Sequence, residues 1–313
     1  MFVVIGKVIS IFSLILIGYI ANRMDILSNS AIPVITNLMM YITAPCMLAS
    51  SIYSKTLSRD VMMDTIQTWV GTAIFYAAGG LAAYVLIRLF RLKPKEDHGA
   101  LIVAVVATNS GFMGFPITKA VFGNDFLYLM AMSNVILNVF MMGISPSVMN
   151  VGTKVRTSLR QFLKSICNIL MLSIAVGLVM LVLGVRPPAI IDDIVQMLSD
   201  ATIPISMILV GMQLGSSDFH HLLNRKNVTT TVIAMAIIPV ITFLVVNPMP
   251  FLSAGVKLTL VFMSVLPTAV MVVPIAEQYN KNSLCLAEIV SLSTLVSIVT
   301  IPLAAAFLMS YYL

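Results

Sequence analysis

The sequence predicts an all-α integral membrane protein of about ten transmembrane helices, set in two inverted five-helix repeats, with helices four and nine broken where they cross. Three observations carry this. The chain is 59% hydrophobic and only 10% charged, where a soluble domain carries about 25% charged residues. Apolar runs long enough to span a bilayer recur along the whole chain. The two halves share landmarks at nearly one spacing.

Lipid as solvent removes the need for a charged shell, because helices satisfy their own backbone groups. Crossing about 30 Å of hydrocarbon takes about 20 mostly apolar residues. Runs at 3–21, 31–51, 67–90, 99–122, 126–147, 166–185, 190–214, 228–247, 256–277 and 285–309 meet that length. Lys7 ahead of the apolar stretch Val8 to Ile20 imitates a signal peptide, but Arg23 and Asp25 follow it rather than small cleavage-site residues, so it reads as a span. The 23 methionines suit flexible helix packing without being diagnostic. Cys46, Cys167 and Cys285 are far apart and in or beside apolar runs, which argues against a disulfide frame or a zinc site.

The formal charge of +6 would suggest nucleic acid on a soluble protein. Here the basic residues sit in short connections, where membrane orientation accounts for them. With ten spans, Arg23, Arg88, Arg91, Lys93, Lys95, Lys154, Arg156, Arg160, Lys164, Arg225, Lys226 and Lys281 fall on one side. Only Lys55, Arg59, Lys119, Arg186 and Lys257 fall on the other. Basic connections stay cytoplasmic, so both termini are expected outside a cell membrane. No nucleic-acid partner is expected.

Gly18 in LIGYI and Gly177 in AVGLV are 159 residues apart, as are Pro45 in ITAPCML and Pro204 in ATIPISM. Pro116 and Pro274 are 158 apart. This predicts two repeats, residues 1–150 and 151–313. Five spans per repeat is an odd number, so the second copy inserts upside down, as in many secondary transporters with a midplane site.

The fourth span reads ALIVAVVATNSGFMGFPITKAVFG. Asn109, Ser110, Gly111, Gly114 and Pro116 arrive within eight residues of it. Glycine loosens a helix and proline removes an N–H and clashes with the carbonyl four back. The ninth span carries Pro267, Thr268 and Pro274. Each break is expected to expose a half-helix N-terminus with free N–H groups and partial positive charge, which suits a carboxylate. Asn109, Ser110 and Thr268 would add hydrogen bonds.

Asn134 and Asn138 share one face of the fifth span. They and Gln213 either line the cavity or tie helices together. Glu288 in LCLAEIVSLS is a candidate coupler for H+ or Na+, or else an interfacial carboxylate. His98, His220 and His221 read as connection residues without a metal site. Asp192 and Asp193 read as the start of a connection beside Pro187 and Pro188. The sequence contains no GxxxxGK[ST], HExxH or GxSxG motif, so neither ATP drive within the chain nor an enzyme activity is expected. No cofactor is expected.

NSGFMGFPI, followed by IPISMILVGMQL and LSTLVSIVTIPL, resembles the auxin efflux carrier family along essentially the whole chain. That resemblance implies ten helices in two inverted repeats, a scaffold part and a moving transport part, and a substrate site where helices four and nine cross. It implies export or import of small organic anions such as malate, malonate or an auxin-like acid by alternating access. Carried over by position, 109–116 and 267–274 form the crossover. The chain has only 148–165 where many plant members have a long cytoplasmic loop, and Thr-Asn-Ser where they have Asn-Pro-Asn. Both departures point away from auxin itself. A sodium-coupled symporter resembling bile-acid carriers, a membrane sensor for the same ligands, and a homodimeric assembly stay open at this point.

Overall fold

The computed structural model describes residues 2–92, 94–149, 168–217 and 222–313. Lys93, the basic connection holding Lys154, Arg156, Arg160 and Lys164, the expected repeat boundary at 150/151, Cys167, His220 and His221 lie outside the described residues. So does the side chain of Lys7.

The described residues are helical, and the sole β-type pairing among them is one isolated bridge. In chain order the helices are α1 (Phe2–Arg23), α2 (Ala31–Tyr53), α3 (Arg59–Leu89), α4 (His98–Val106), α5 (Phe115–Phe122), α6 (Asn124–Met149), α7 (Ile169–Leu183), α8 (Ala189–Gly215), α9 (Arg225–Val246), α10 (Ala254–Val265), α11 (Val272–Gln278) and α12 (Ser283–Tyr312). Six of them, α2, α3, α6, α8, α9 and α12, are long and apolar enough to cross a membrane. Three more of the expected runs hold the shorter apolar helices Ile9–Arg23, Ile169–Leu183 and Ala254–Val265. The fourth run is split into α4 and α5.

Local chemistry sets the ends. Ser58 Oγ accepts the Val61 N–H at 3.2 Å, so α3 starts at Arg59, eight residues ahead of the apolar run. Asp192 and Asp193, expected in a connection, fall at the start of α8 just after Pro188. Carboxylates are stabilised there by the partial positive charge of the helix N-terminus.

Prolines shape the helices in a specific way. Wide π turns occupy Met39–Thr43, Ser110–Gly114, Phe140–Ile144 and Ile233–Ile237. Each ends two residues before a proline, namely Pro45, Pro116, Pro146 and Pro239. The residue before the proline donates to the carbonyl five back, as Ala44 does to Met39, Ser145 to Phe140 and Ile238 to Ile233. The wide turn moves backbone away from the pyrrolidine ring, which would clash with the carbonyl four back. Pro204 and Pro302 instead sit inside α-helix.

The chain divides into two compact units. The first comprises Met1–Ile66, Gly111–Met132 and Cys167–Ser216. Its helices approach backbone to backbone at glycines. A Cβ on Gly18 of α1 would stand 2.1 Å from the Ile208 carbonyl oxygen of α8, and one on Gly211 of α8 would stand 2.0 Å from that of Ile15. A Cβ on Gly177 of α7 would meet the Ala49 carbonyl oxygen of α2 at 3.2 Å. Such approaches are how helices associate in lipid, where packing rather than hydrophobicity holds them together. On α7, Leu172, Val176, Val179, Val182 and Leu183 are exposed. A fully apolar stripe of that kind belongs against acyl chains. Polar ties in this unit include Tyr53 to Asp192 at 2.5 Å, and Lys119 to Ser199 and Asp200 at 2.7 and 2.8 Å.

The second unit comprises Gln67–Ser110, Ser133–Ile166 and Ser217–Leu313. Gly99 at the head of α4 lies against α6, where a Cβ would meet the Val148 carbonyl oxygen at 2.2 Å. Tyr76 stacks on Phe140 with centroids 4.4 Å apart. The Lys226 ammonium bonds the Asp97 carboxylate at 3.1 Å, their side chains only 20% and 11% exposed. Removing one partner of a largely buried pair leaves the other uncompensated. Asp97→Asn is therefore expected to cost about 2 kcal/mol of stability. Asp125→Asn, which breaks the exposed pair Lys55–Asp125 in the first unit, should cost less than about 1 kcal/mol. Melting in detergent distinguishes the two, and equal losses would refute the burial argument.

Candidate functional site

The bridge between Thr108 and Thr268 is the centre of the second unit's interior. α4 ends at Val106, and Ala107 turns extended at φ −78°, ψ 105°. α10 ends at Val265, and Leu266 is extended at φ −65°, ψ 146°. Pro267 explains the second break, because it lacks an N–H and pushes the residue before it out of the helical region. Two helix breaks strand several backbone groups, and burial makes each costly unless it is bonded.

The breaks satisfy each other. The Asn109 N–H donates to the Pro267 carbonyl at 2.8 Å, and the Ala269 N–H donates to the Ala107 carbonyl at 2.8 Å. The Thr268 N–H donates to Ser293 Oγ on α12 at 3.1 Å, and Thr268 Oγ1 to the Ala104 carbonyl of α4 at 2.9 Å. Threonine thus plugs a carbonyl that the end of α4 leaves open.

A neutral polar cluster lies on the fourth-span side. Asn134 Nδ2 donates to Ser110 Oγ at 2.7 Å, and Asn138 Nδ2 donates to the backbone and side-chain oxygens of Asn134 at 2.9 and 2.8 Å. Thr108, Asn109, Ser110, Asn134 and Thr268 are all buried. Thr108 Oγ1 and Tyr76 Oη are buried beside each other, with no further hydrogen-bond partner for either among the described residues. Buried hydroxyls left short of partners are uncommon, and they mark a place where a water or a bound polar group belongs.

The sequence-derived residues distribute as follows. Asn109, Ser110, Asn134, Asn138, Pro267, Thr268, Pro274 and Glu288 belong to the second unit. Gly111, Gly114, Pro116 and Gln213 belong to the first. The breaks themselves lie at 107–109 and 266–271, ahead of Pro116 and Pro274. Pro116 stands in the first turn of α5, directly after the wide turn at Ser110–Gly114 that accommodates its ring, and Pro274 is an exposed residue near the start of α11. Glu288 accepts from Asn227 Nδ2 at 2.7 Å, five residues along α12 from Ser293. At 1.5 Å of rise per residue that is about 7–8 Å along the axis. Sequence reasoning missed Ser293, Tyr76 and Thr108. Only a serine or threonine within an apolar run marks the first and last, and nothing marks Tyr76.

Together the apolar helices and the paired breaks describe a multi-pass helical membrane protein in which two interrupted helices bond each other. The family described as membrane transport protein matches residues 3–305, and the chain belongs to that family, the one that contains the auxin efflux carriers. It is 24% identical over 309 residues to an uncharacterized transporter of Methanothermobacter thermautotrophicus, with 95% of each chain covered. It is 27% identical over 119 residues, 38% of each chain, to an uncharacterized transporter of Methanocaldococcus jannaschii. The protein is a membrane transporter.

Proposed function

We propose that this transporter is a secondary carrier of small organic anions, carboxylates such as malate or malonate or an auxin-like acid, bound at the crossover of the fourth and ninth spans. The reading rests on the reciprocal bridge at Thr108 and Thr268 with its buried neutral polar surroundings. The bonds at the bridge run to backbone groups, hydroxyls and amides. Oriented backbone amides and hydroxyls favour a carboxylate without a full positive side chain. Thr108 Oγ1, buried with the Tyr76 hydroxyl beside it, supplies a donor that a carboxylate would satisfy.

Alternating access follows from the inverted five-helix repeats proposed here for 1–150 and 151–313. One pattern inserted in both senses has two nearly equivalent arrangements, one open to each face, exchanged by an elevator-like or rocking motion. The glycine packing supports the repeat. At an offset of 159, Gly18 and Ala49 correspond to Gly177 and Ile208, and the contact of Gly18 with the Ile208 carbonyl recurs as that of Gly177 with the Ala49 carbonyl. Glu288, bonded to Asn227 and a turn or two from the crossover on α12, is the proposed site of H+ or Na+ coupling.

The experiment is uptake of labelled organic acids into vesicles reconstituted with the purified chain. Asn109→Ala should lower transport at least about tenfold, the worth of one hydrogen bond to a charged group, while melting stays near that of the native chain. Transport that survives unchanged removes Asn109 from the site. Glu288→Gln under imposed proton and sodium gradients tells which ion drives the carrier. Binding without flux would point to a sensor instead.

A further inference from the structure

In the second unit a cavity of about 600 Å³ lies between α3, the turn after it, α4 and the end of α6. Among the described residues, Arg88, Arg91, Lys95 and His98 line it against a single carboxylate, Glu96. Two of the basic groups, those of Arg88 and His98, have a fixed partner. The Arg88 guanidinium lies 4.3 Å from the centroid of the Tyr84 ring, a cation–π contact. Arg91 adopts φ 51°, the left-handed conformation that ends a helix and is uncommon outside glycine. That turn is closed by Leu92 N–H bonding the Ile87 carbonyl at 3.3 Å, and it is anchored by burial of Leu92. His98 Nε2 bonds the Leu92 carbonyl at 2.6 Å, so Nε2 carries the proton and ties α4 to the same turn.

The rest of the wall is apolar, from Ile102, Val148 and Met149. Along α3 beside Arg88, Leu81, Val85 and Leu89 are 66%, 51% and 69% exposed at four-residue spacing, which makes a lipid-facing stripe. A free inorganic anion would use the arginines and leave the apolar wall wet. An occupant with a phosphate head and hydrocarbon tails uses both. We infer that this cavity binds the headgroup of an anionic phospholipid, with its acyl chains along Leu81, Val85 and Leu89. The charge bias of the sequence assigns this connection to the cytoplasmic leaflet, where juxtamembrane basic residues meet anionic lipid. The inference stands apart from the crossover and from the transported substrate.

The test uses the full chain purified in neutral detergent, with thermal stabilisation and native mass spectrometry as readouts. Phosphatidylglycerol should stabilise the chain and remain bound, while phosphatidylcholine and inorganic phosphate at matched concentration should not. Arg88→Gln and Arg91→Gln should each weaken phosphatidylglycerol binding about fivefold, the worth of one basic residue at a lipid surface. Lys95→Gln repeats the test without disturbing the stack on Tyr84. Arg225→Gln, an exposed arginine outside the cavity lining, should bind as the native chain does. Equal stabilisation by phosphatidylcholine overturns the inference. So does a full effect from phosphate alone, which would make this a soluble-anion site, and so does native-like binding by all three cavity variants.

Discussion

Gly211→Val should be the most damaging single substitution in the first unit, costing about 3 kcal/mol or more, because overpacking that only backbone movement can relieve lies at the top of its usual range. A Cβ at that position would stand 2.0 Å from the Ile15 carbonyl oxygen and 2.7 Å from the Tyr19 nitrogen. Both are main-chain atoms of α1, so no side chain can rotate away. α1 and α8 would have to separate along the face that also holds Gly18 against Ile208. Gly80→Ala in α3 is the matching control, since nothing lies within 4 Å of its added Cβ. There the better helix propensity of alanine should raise stability by up to about 1 kcal/mol. Melting of both variants in one detergent decides the matter. A Gly211→Val chain that melts with the native one would show that α1 and α8 are not in backbone contact.

Ala269→Pro should have the largest effect on transport. It deletes the N–H that donates to the Ala107 carbonyl at 2.8 Å, one of the two reciprocal bonds of the bridge. Proline also demands an extended residue before it. Thr268 is the bridging residue, and the proline Cδ takes the place of the hydrogen that faced the Ala107 carbonyl, so the variant acts at the bridge itself. The stranded carbonyl costs about 1–3 kcal/mol, borne at the point where the two broken spans interlock. Uptake in vesicles should fall at least about tenfold, the fold-change of 1.4 kcal/mol. Ala269→Val adds comparable bulk and keeps the N–H, so it should transport near the native rate. Equal losses in the two variants would make bulk, not the bridge, the cause.

Much of this was legible because hydropathy and backbone breakers are local properties. A run such as Ile169–Leu183 announces a helix in lipid by composition alone. Asn109 to Pro116 announces that the fourth span cannot continue unbroken. The place of the break was less legible. Proline was expected to break the helix near itself, yet the wide turn at Ser110–Gly114 absorbs Pro116 and moves the break to Ala107–Asn109. Pro45 and Pro204, matched in the sequence, illustrate the limit. The first follows a π turn and the second sits in plain α-helix, a difference that their neighbours in the chain do not encode.

By itself the sequence determined that the chain is a multi-pass helical membrane protein, where its long apolar runs lie, which two of them are interrupted, and to which family it belongs. Each of these depends on residues within about one helix length of one another, or on a pattern sustained along the chain. Tertiary structure decided the partners. Thr108 meets Thr268, Thr268 meets Ser293, Asp97 meets Lys226, and Glu288 meets Asn227. Those pairs join residues from 25 to 160 positions apart in the chain. Their register is set by how glycines and side chains let helices approach, and helix packing in lipid is a property of opposed surfaces that neither helix carries alone.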